Sequence, residues 1–154
     1  MSSEENILDA EEETNIIKEL YKSLNLDNQN IVFHHLELSE KHYIDKKWDD
    51  SISNARKFLE CILMEIASSY SKTMKKVQLS NDIYTSAQKV REFLESEKVL
   101  ETKEKKAISE IYGLLSKTGG HPYIAESDQA RLLRNLALTI SQFIMLRYDG
   151  ILKK

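Results

Sequence analysis

The stretch "DDSISNARKFLECILMEIASSYSKT" (residues 49–73) decides the fold. Its apolar residues Ile52, Ala55, Leu59, Ile62, Leu63, Ile66 and Tyr70 recur three or four positions apart. That spacing stacks side chains along one face of an α-helix and would scatter them over both faces of a strand. No glycine or proline interrupts the stretch, so the spacing predicts one helix over about 50–72. Asp50 or Ser51 can cap its start, and acidic groups there face the positive end of the helix dipole. A helix this long with a continuous apolar stripe must be covered, and the chain on either side supplies further helices.

Upstream, Ile16, Ile17, Leu20, Tyr21 and Leu24 keep helical spacing over 14–24, with Thr14 as the expected cap. "LDNQN" (26–30) breaks the pattern, because Asn and Asp side chains compete for backbone hydrogen bonds. Residues 1–30 therefore read as an acidic N-terminal arm with a short helix, carrying Glu4, Glu5, Asp9, Glu11, Glu12 and Glu13. Residues 31–154 read as the bundle proper: a helix near 35–47, a bend at "KKWDD" (46–50), then the long helix. Downstream, "LSND" (79–82) opens a helix predicted over 82–98 through Ile83, Ala87, Val90 and Leu94. Thr102 caps a helix over 103–117 that presents Ile108, Ile111, Tyr112, Leu114 and Leu115 and ends at Thr118-Gly119. A last helix starts at the cap signature Ser127-Asp128 and runs to about Tyr148. Its segment "LALTISQFIMLRY" (136–148) is apolar nearly all round, which places it in the middle of a bundle or in a dimer interface. The expectation is an all-α helical bundle of four main helices with one or two additional N-terminal helices. Only four glycines and one proline in 154 residues agree with that.

Composition excludes several function classes. The 22 basic and 25 acidic side chains give a net charge of −3, which argues against a dedicated nucleic-acid coat and leaves room for a local basic patch. Cys61 is the only cysteine, so neither an intramolecular disulfide nor a cysteine zinc site is available; in "FLECILMEI" (58–66) it reads as a small core residue. No run approaches the roughly 20 apolar residues of a membrane span. The first residues lack the basic-then-apolar order of a secretory signal, so the expected location is cytoplasmic. No Gly-rich phosphate loop, His-Glu-x-x-His helix or Gly-x-Ser-x-Gly elbow occurs. His34 and His35 are adjacent and point about 100° apart on a helix, while His42 lies two turns beyond His35. No metal site and no cofactor are expected.

Two places carry candidate chemistry. Arg56 and Glu60 sit four apart on one helix face, either as an exposed ion pair or as the flanks of a polar cleft in which Glu60 orients a binding group. The second is "SKTGGHPYIAESDQARLLRN" (116–135), with the only proline and two of the four glycines. His121 precedes Pro122 and is biased toward an extended backbone. Arg131 and Arg134 lie three apart in the first turns of the last helix, and Lys117 closes the helix before. Brought to one mouth between helices, Lys117, His121, Arg131 and Arg134 suit a phosphodiester: the imidazole moves a proton and the guanidiniums hold phosphate. The alternative is a plain interhelical connection with solvated basic ends.

The segments "KHYIDKKWDDSISNARKFLECILMEI" (41–66) and "GLLSKTGGHPYIAESDQARLLRNLALTISQFIMLRY" (113–148) resemble the abortive-infection C-terminal-type domains of the broader HEPN group. The likeness is a short helix, an Asp-containing bend, an Ile-x-Asn-Ala-Arg-x-x-Leu-Glu run, then a His-bearing loop before an Ala/Leu-rich last helix, over roughly residues 40–150. The resemblance implies an all-α bundle that often dimerises, in prokaryotic anti-phage defence or toxin–antitoxin systems. Active members are metal-independent ribonucleases with an Arg-x4-6-His motif. Here the positions separated from His121 by four to six intervening residues hold Ser116, Leu115 and Leu114, so the histidine of the motif is present and the arginine is not. Lys is a point charge without the guanidinium fork, so Lys117 is no simple replacement. Three readings stay open. The favoured one is a non-catalytic module that binds a second copy, a partner protein, RNA or a nucleotide in a defence assembly. The second is a ribonuclease with His121 as acid/base, Arg131 or Arg134 on phosphate and Arg56 and Glu60 as orienting groups. The third is an antitoxin or immunity protein whose acidic arm covers a basic toxin.

Overall fold

The computed structural model describes the backbone of residues 3–118 and 126–154, and the side chains of 12–116 and 126–154. Among these residues the chain forms seven α-helices and no strand. They are α1 (Ser3–Ser23), α2 (Gln29–Ile44), α3 (Trp48–Met74), α4 (Asn81–Tyr84), α5 (Ala87–Ser96), α6 (Thr102–Thr118) and α7 (Ser127–Leu152). The all-α bundle expected from the periodicity is what the chain adopts.

α3 is the axis of the fold, packed against α2, α4, α5, α6 and α7. Its predicted stripe is the reason: Ile52, Ala55, Leu59, Ile62, Leu63 and Ile66 are buried, together with Phe58 and Ala67, so α3 is covered on more than one side. α7 lies along α3 with the two C-terminal ends together, where the Ser69 and Tyr148 hydroxyls meet at 2.7 Å. α6 runs the opposite way. Its first turn is tied to the end of α7 by a two-pronged ion pair, Arg147 Nη1 to Glu104 Oε1 at 3.0 Å and Nη2 to Oε2 at 2.7 Å. Its later turns reach the first half of α3 through Tyr112. The end of α6, the start of α7 and the first half of α3 therefore share one end of the bundle.

α1 and the turn after it join the same core: Ile17 and Tyr21 of α1 and Leu24 and Leu26 beyond it are buried, and Tyr21 meets Phe33 of α2 edge-on at 5.4 Å. Thr14 is not a cap. It lies inside α1, and its hydroxyl donates to Glu40 Oε1 of α2 at 3.1 Å.

Several predicted boundaries need correction. The helix expected over 82–98 is two, α4 and α5, because Thr85-Ser86 stops one and starts the next: the Ser86 hydroxyl accepts the Lys89 N–H. α3 begins at Trp48 without a side-chain cap, so Asp50 lies in its first turn. Ser51 is buried against α2 instead. α7 likewise has Glu126 at its cap position, with no side-chain bond, where Ser127-Asp128 had been expected to cap. Four helix ends carry a left-handed residue that is not glycine: Asn25, Lys46, Lys76 and Lys98, with φ of 55°, 60° or 61°. At Asn25, Lys46 and Lys98 the residue's own N–H and that of the next residue fold back on the last turn, as Lys98 N to Glu95 O and Val99 N to Leu94 O.

Close approach of α2 and α3 is made by two serines. Ser39 Oγ donates to Ser51 O at 2.7 Å and Ser51 Oγ donates to Ser39 O at 2.7 Å, with both side chains fully buried. Ser39→Ala removes one of these bonds without opening a void, so a loss of about 1 kcal/mol is expected in urea unfolding. The Ser39→Ala/Ser51→Ala double variant tests whether the two bonds act independently: additive losses mean that they do.

Candidate functional site

Arg56 and Glu60 are one helical turn apart on the side of α3 that faces α5 and α6. They are not an exposed pair: each side chain keeps about a quarter of its surface, 26% and 27%, with Arg56 Nη1 3.5 Å from Glu60 Oε2. Tyr112 of α6 closes the turn between them. Its hydroxyl donates to Glu60 Oε2 at 3.0 Å and accepts from Arg56 Nη1 at 3.4 Å. Arg91 of α5 lies on the face of the same ring, its Cζ 4.5 Å from the centroid, a cation–π contact. Arg91 Nε donates to Ser109 Oγ at 3.1 Å, and its Nη1 is buried without a hydrogen-bond partner. Only 8% of Arg91 is exposed, and burial pulls its guanidinium below the usual arginine range.

Two guanidiniums therefore gather beside Glu60, with Glu92 also acting on Arg91, in a place partly withdrawn from water. The unpartnered Nη1 of Arg91 leaves a donor that suits an anionic group, a carboxylate or a phosphate, held by a charge-assisted hydrogen bond. Ser109 also lines a shallow depression of about 430 Å³ with Glu110, Gly113 and Leu114. Of this cluster, the sequence pointed to Arg56 and Glu60. Arg91 and Tyr112 were missed as polar participants because both fall on helical faces that read as part of the packing stripes; no sequence signal marks them as partners.

Of the loop candidates, Arg131 and Arg134 lie in the first turns of α7 and do not form one described constellation. His121 lies outside the described residues, as does the side chain of Lys117. Arg131 is exposed and pairs with Asp128 at 3.5 Å within α7. Arg134 turns inward instead: its Cζ sits 4.6 Å from the centre of the Tyr43 ring of α2, which is itself edge-on to Trp48 at 5.3 Å. The three-residue spacing of the two arginines thus leads to different neighbours. Among the described residues, no hydrogen bond or ion pair joins Arg131 or Arg134 to Arg56 or Glu60.

Of the histidines, His34 is exposed; His35 and His42 are half-buried, each with a buried Nδ1 lacking a hydrogen-bond partner. Burial lowers the His35 pKa from its ordinary value. Among the described residues, no group of three His, Cys, Asp or Glu side chains is gathered as a metal site would need. Cys61 is half-buried rather than fully in the core, and its thiol is pushed up to about 11, chiefly by burial.

α7 carries the largest departure from a satisfied surface. One face buries Ala130, Leu133, Ala137, Ile144, Met145 and Tyr148, and the opposite one leaves Leu132, Phe143 and Leu146 at 57%, 38% and 53% exposure. These three, with Asn135, Thr139 and Gly150, recur three or four apart and form one stripe along the helix. α7 is therefore not the enclosed middle helix of this chain, a place that α3 takes. None of the described helices is long and apolar enough to cross a membrane. Compared with known proteins, the chain matches no family model, no curated protein and no solved structure.

Proposed function

We propose that this chain is a non-catalytic HEPN-like binding module of a prokaryotic anti-phage defence or toxin–antitoxin system, and that it works through the open face of α7. The exposed stripe Leu132–Phe143–Leu146 carries this reading, because a helix facing only water has no use for a second apolar face. The family part rests on the resemblance of residues 41–66 and 113–148, and on the absence of arginine at positions 114–116.

The first occupant of that face is a second copy of the chain. The stripe complements itself about Thr139: an antiparallel pairing sets Leu132 of one copy against Leu146 of the other and opposes the two helix dipoles. It also brings the exposed Glu126 and Asp128 at one end of α7 toward the exposed Lys153 and Lys154 at the other. RNA or a nucleotide would be held by arginines among Arg56, Arg91, Arg131 and Arg134.

Light scattering after size exclusion is expected to give a dimer. Leu132→Glu/Leu146→Glu is expected to give a monomer with unchanged helicity. A wild-type monomer at every concentration overturns the reading of the α7 face. Incubation with transfer RNA separates the enzymatic alternative: intact RNA supports a binding module. Cleavage that His121→Ala abolishes overturns it in favour of a metal-independent ribonuclease.

A further inference from the structure

On the far side of α3 from the arginine cluster, the chain holds a cavity of about 610 Å³, large enough for a small metabolite. It opens between the α1–α2 loop, the second half of α3 and the segment 78–84. Its lining is mainly polar: Asp27, Asn28, Ser68, Gln78, Ser80 and Asn81 surround Glu65, with Leu79, Tyr84 and Lys72 beside them.

Glu65 is the unusual member. It is 5% exposed, on the most buried helix of the fold, yet among the described residues no cation is paired with it. The cation of the lining, Lys72, is engaged at the rim with Asp27, Nζ to Oδ2 at 3.5 Å, and both of those side chains are well exposed. Buried carboxylates are ordinarily paired, because leaving one without a counter-charge costs several kcal/mol. Two neutral donors hold Glu65 in place, and both use the same oxygen: Asn28 Nδ2 at 3.1 Å and the Tyr84 hydroxyl at 2.7 Å, each on Oε1. Asn28 takes a left-handed backbone, φ 60°, to deliver that amide. The Tyr84 hydroxyl is pushed up to about 12, first by burial and then by Glu65, so it stays protonated as a donor at neutral pH. Oε1 is thereby filled, and Oε2 is the carboxylate oxygen left to take a ligand.

From this geometry we infer that the cavity is a binding site for a small primary amine, with its ammonium group on Glu65 Oε2. A single available oxygen selects between the two common organic cations. Guanidinium binds a carboxylate best through two parallel bonds that use both oxygens, whereas an ammonium is a compact charge with three donors that can be aimed separately. One donor takes Oε2; the hydroxyl and amide oxygens of Ser68, Gln78 and Asn81 are available to the other two. Asp27 and Glu65 against Lys72 leave the lining with one surplus negative charge, which favours a cation further.

Isothermal titration of the full chain with putrescine tests this directly. Saturable one-to-one binding is expected, weakened roughly tenfold or more by Glu65→Gln, which keeps the shape and the Oε1 acceptor. Ser68→Leu supplies a second variant, which fills the cavity while leaving Glu65 intact, and is expected to remove binding as well. A matched pair, butylammonium and butylguanidinium, is expected to bind in that order. No saturable heat with putrescine, equal binding by Glu65→Gln in a normally folded protein, or preference for butylguanidinium would each overturn the inference. The site is remote from the α7 stripe, so its failure would leave the dimer reading untouched.

Discussion

A chain beginning at Asp27 is expected to lose its cooperative unfolding transition, although the segment removed is the acidic arm. Deletion of residues 1–26 takes away Ile17, Tyr21, Leu24 and Leu26, all buried in the common core. At about 1.5–3 kcal/mol for each large apolar side chain, the loss is on the order of 6–12 kcal/mol. That is comparable with the whole stability of a domain of this size, roughly 5–15 kcal/mol. Deletion also saves the entropy of ordering α1, which lowers the net effect. Against that, it uncovers Phe33, which packs between Tyr21 and Phe58. Circular dichroism during heating, with a dye that reports exposed apolar surface, reads the outcome. A sharp transition within about 5 °C of the full chain would show that α1 is an attachment and not part of the core.

The second large effect is expected at Glu60. Glu60→Ala should destabilise by about 2–3 kcal/mol, more than Tyr112→Phe at about 1 kcal/mol. The reason is charge. Glu60 is the carboxylate paired with Arg56, and its removal leaves Arg56 and the buried Arg91 facing each other across Tyr112. It also strands the tyrosine hydroxyl. The quarter of the pair open to solvent keeps the figure below what a fully buried pair would cost. Urea unfolding measures it, and the sign separates two roles. A loss identifies the cluster as a structural tie among α3, α5 and α6. A gain in stability identifies Glu60 as a carboxylate whose desolvation costs more than its pairing with the arginines returns.

How much of this was legible depended on the kind of residue. Periodicity alone located α3, α6 and α7, because buried apolar side chains three or four apart leave a direct trace. The helix ends were less legible because the chain closes them with Asn25, Lys46, Lys76 and Lys98, where glycine would have been the readable sign. Lys98 extended the apparent 82–98 helix for that reason, while Thr85-Ser86 inside it went unread as a stop and a cap. Arg56 and Glu60 could be paired from their spacing, since both are on one helix. Arg91, Tyr112 and Glu65 could not, because their partners are 18 to 56 positions away in sequence. Their meaning comes from which helices cross, and no local pattern records that. The surplus of apolar residues on α7 was visible, but the open stripe was not, because sequence cannot tell a helix enclosed by its own chain from one that waits for another.

The lysines that finish α2, α3 and α5 carry a consequence for how the molecule meets its surroundings. A glycine would close each helix at less backbone cost, and it would put nothing into the solvent. With lysine, the same backbone turn that ends the helix also projects a cation at the negative pole of its dipole. Punctuation and surface charge are thus written by one residue. Substitutions that ease the turn at these ends would also erase part of the electrostatic signature, so sequence drift toward simpler helix ends would change what approaches the protein before it changed how it folds.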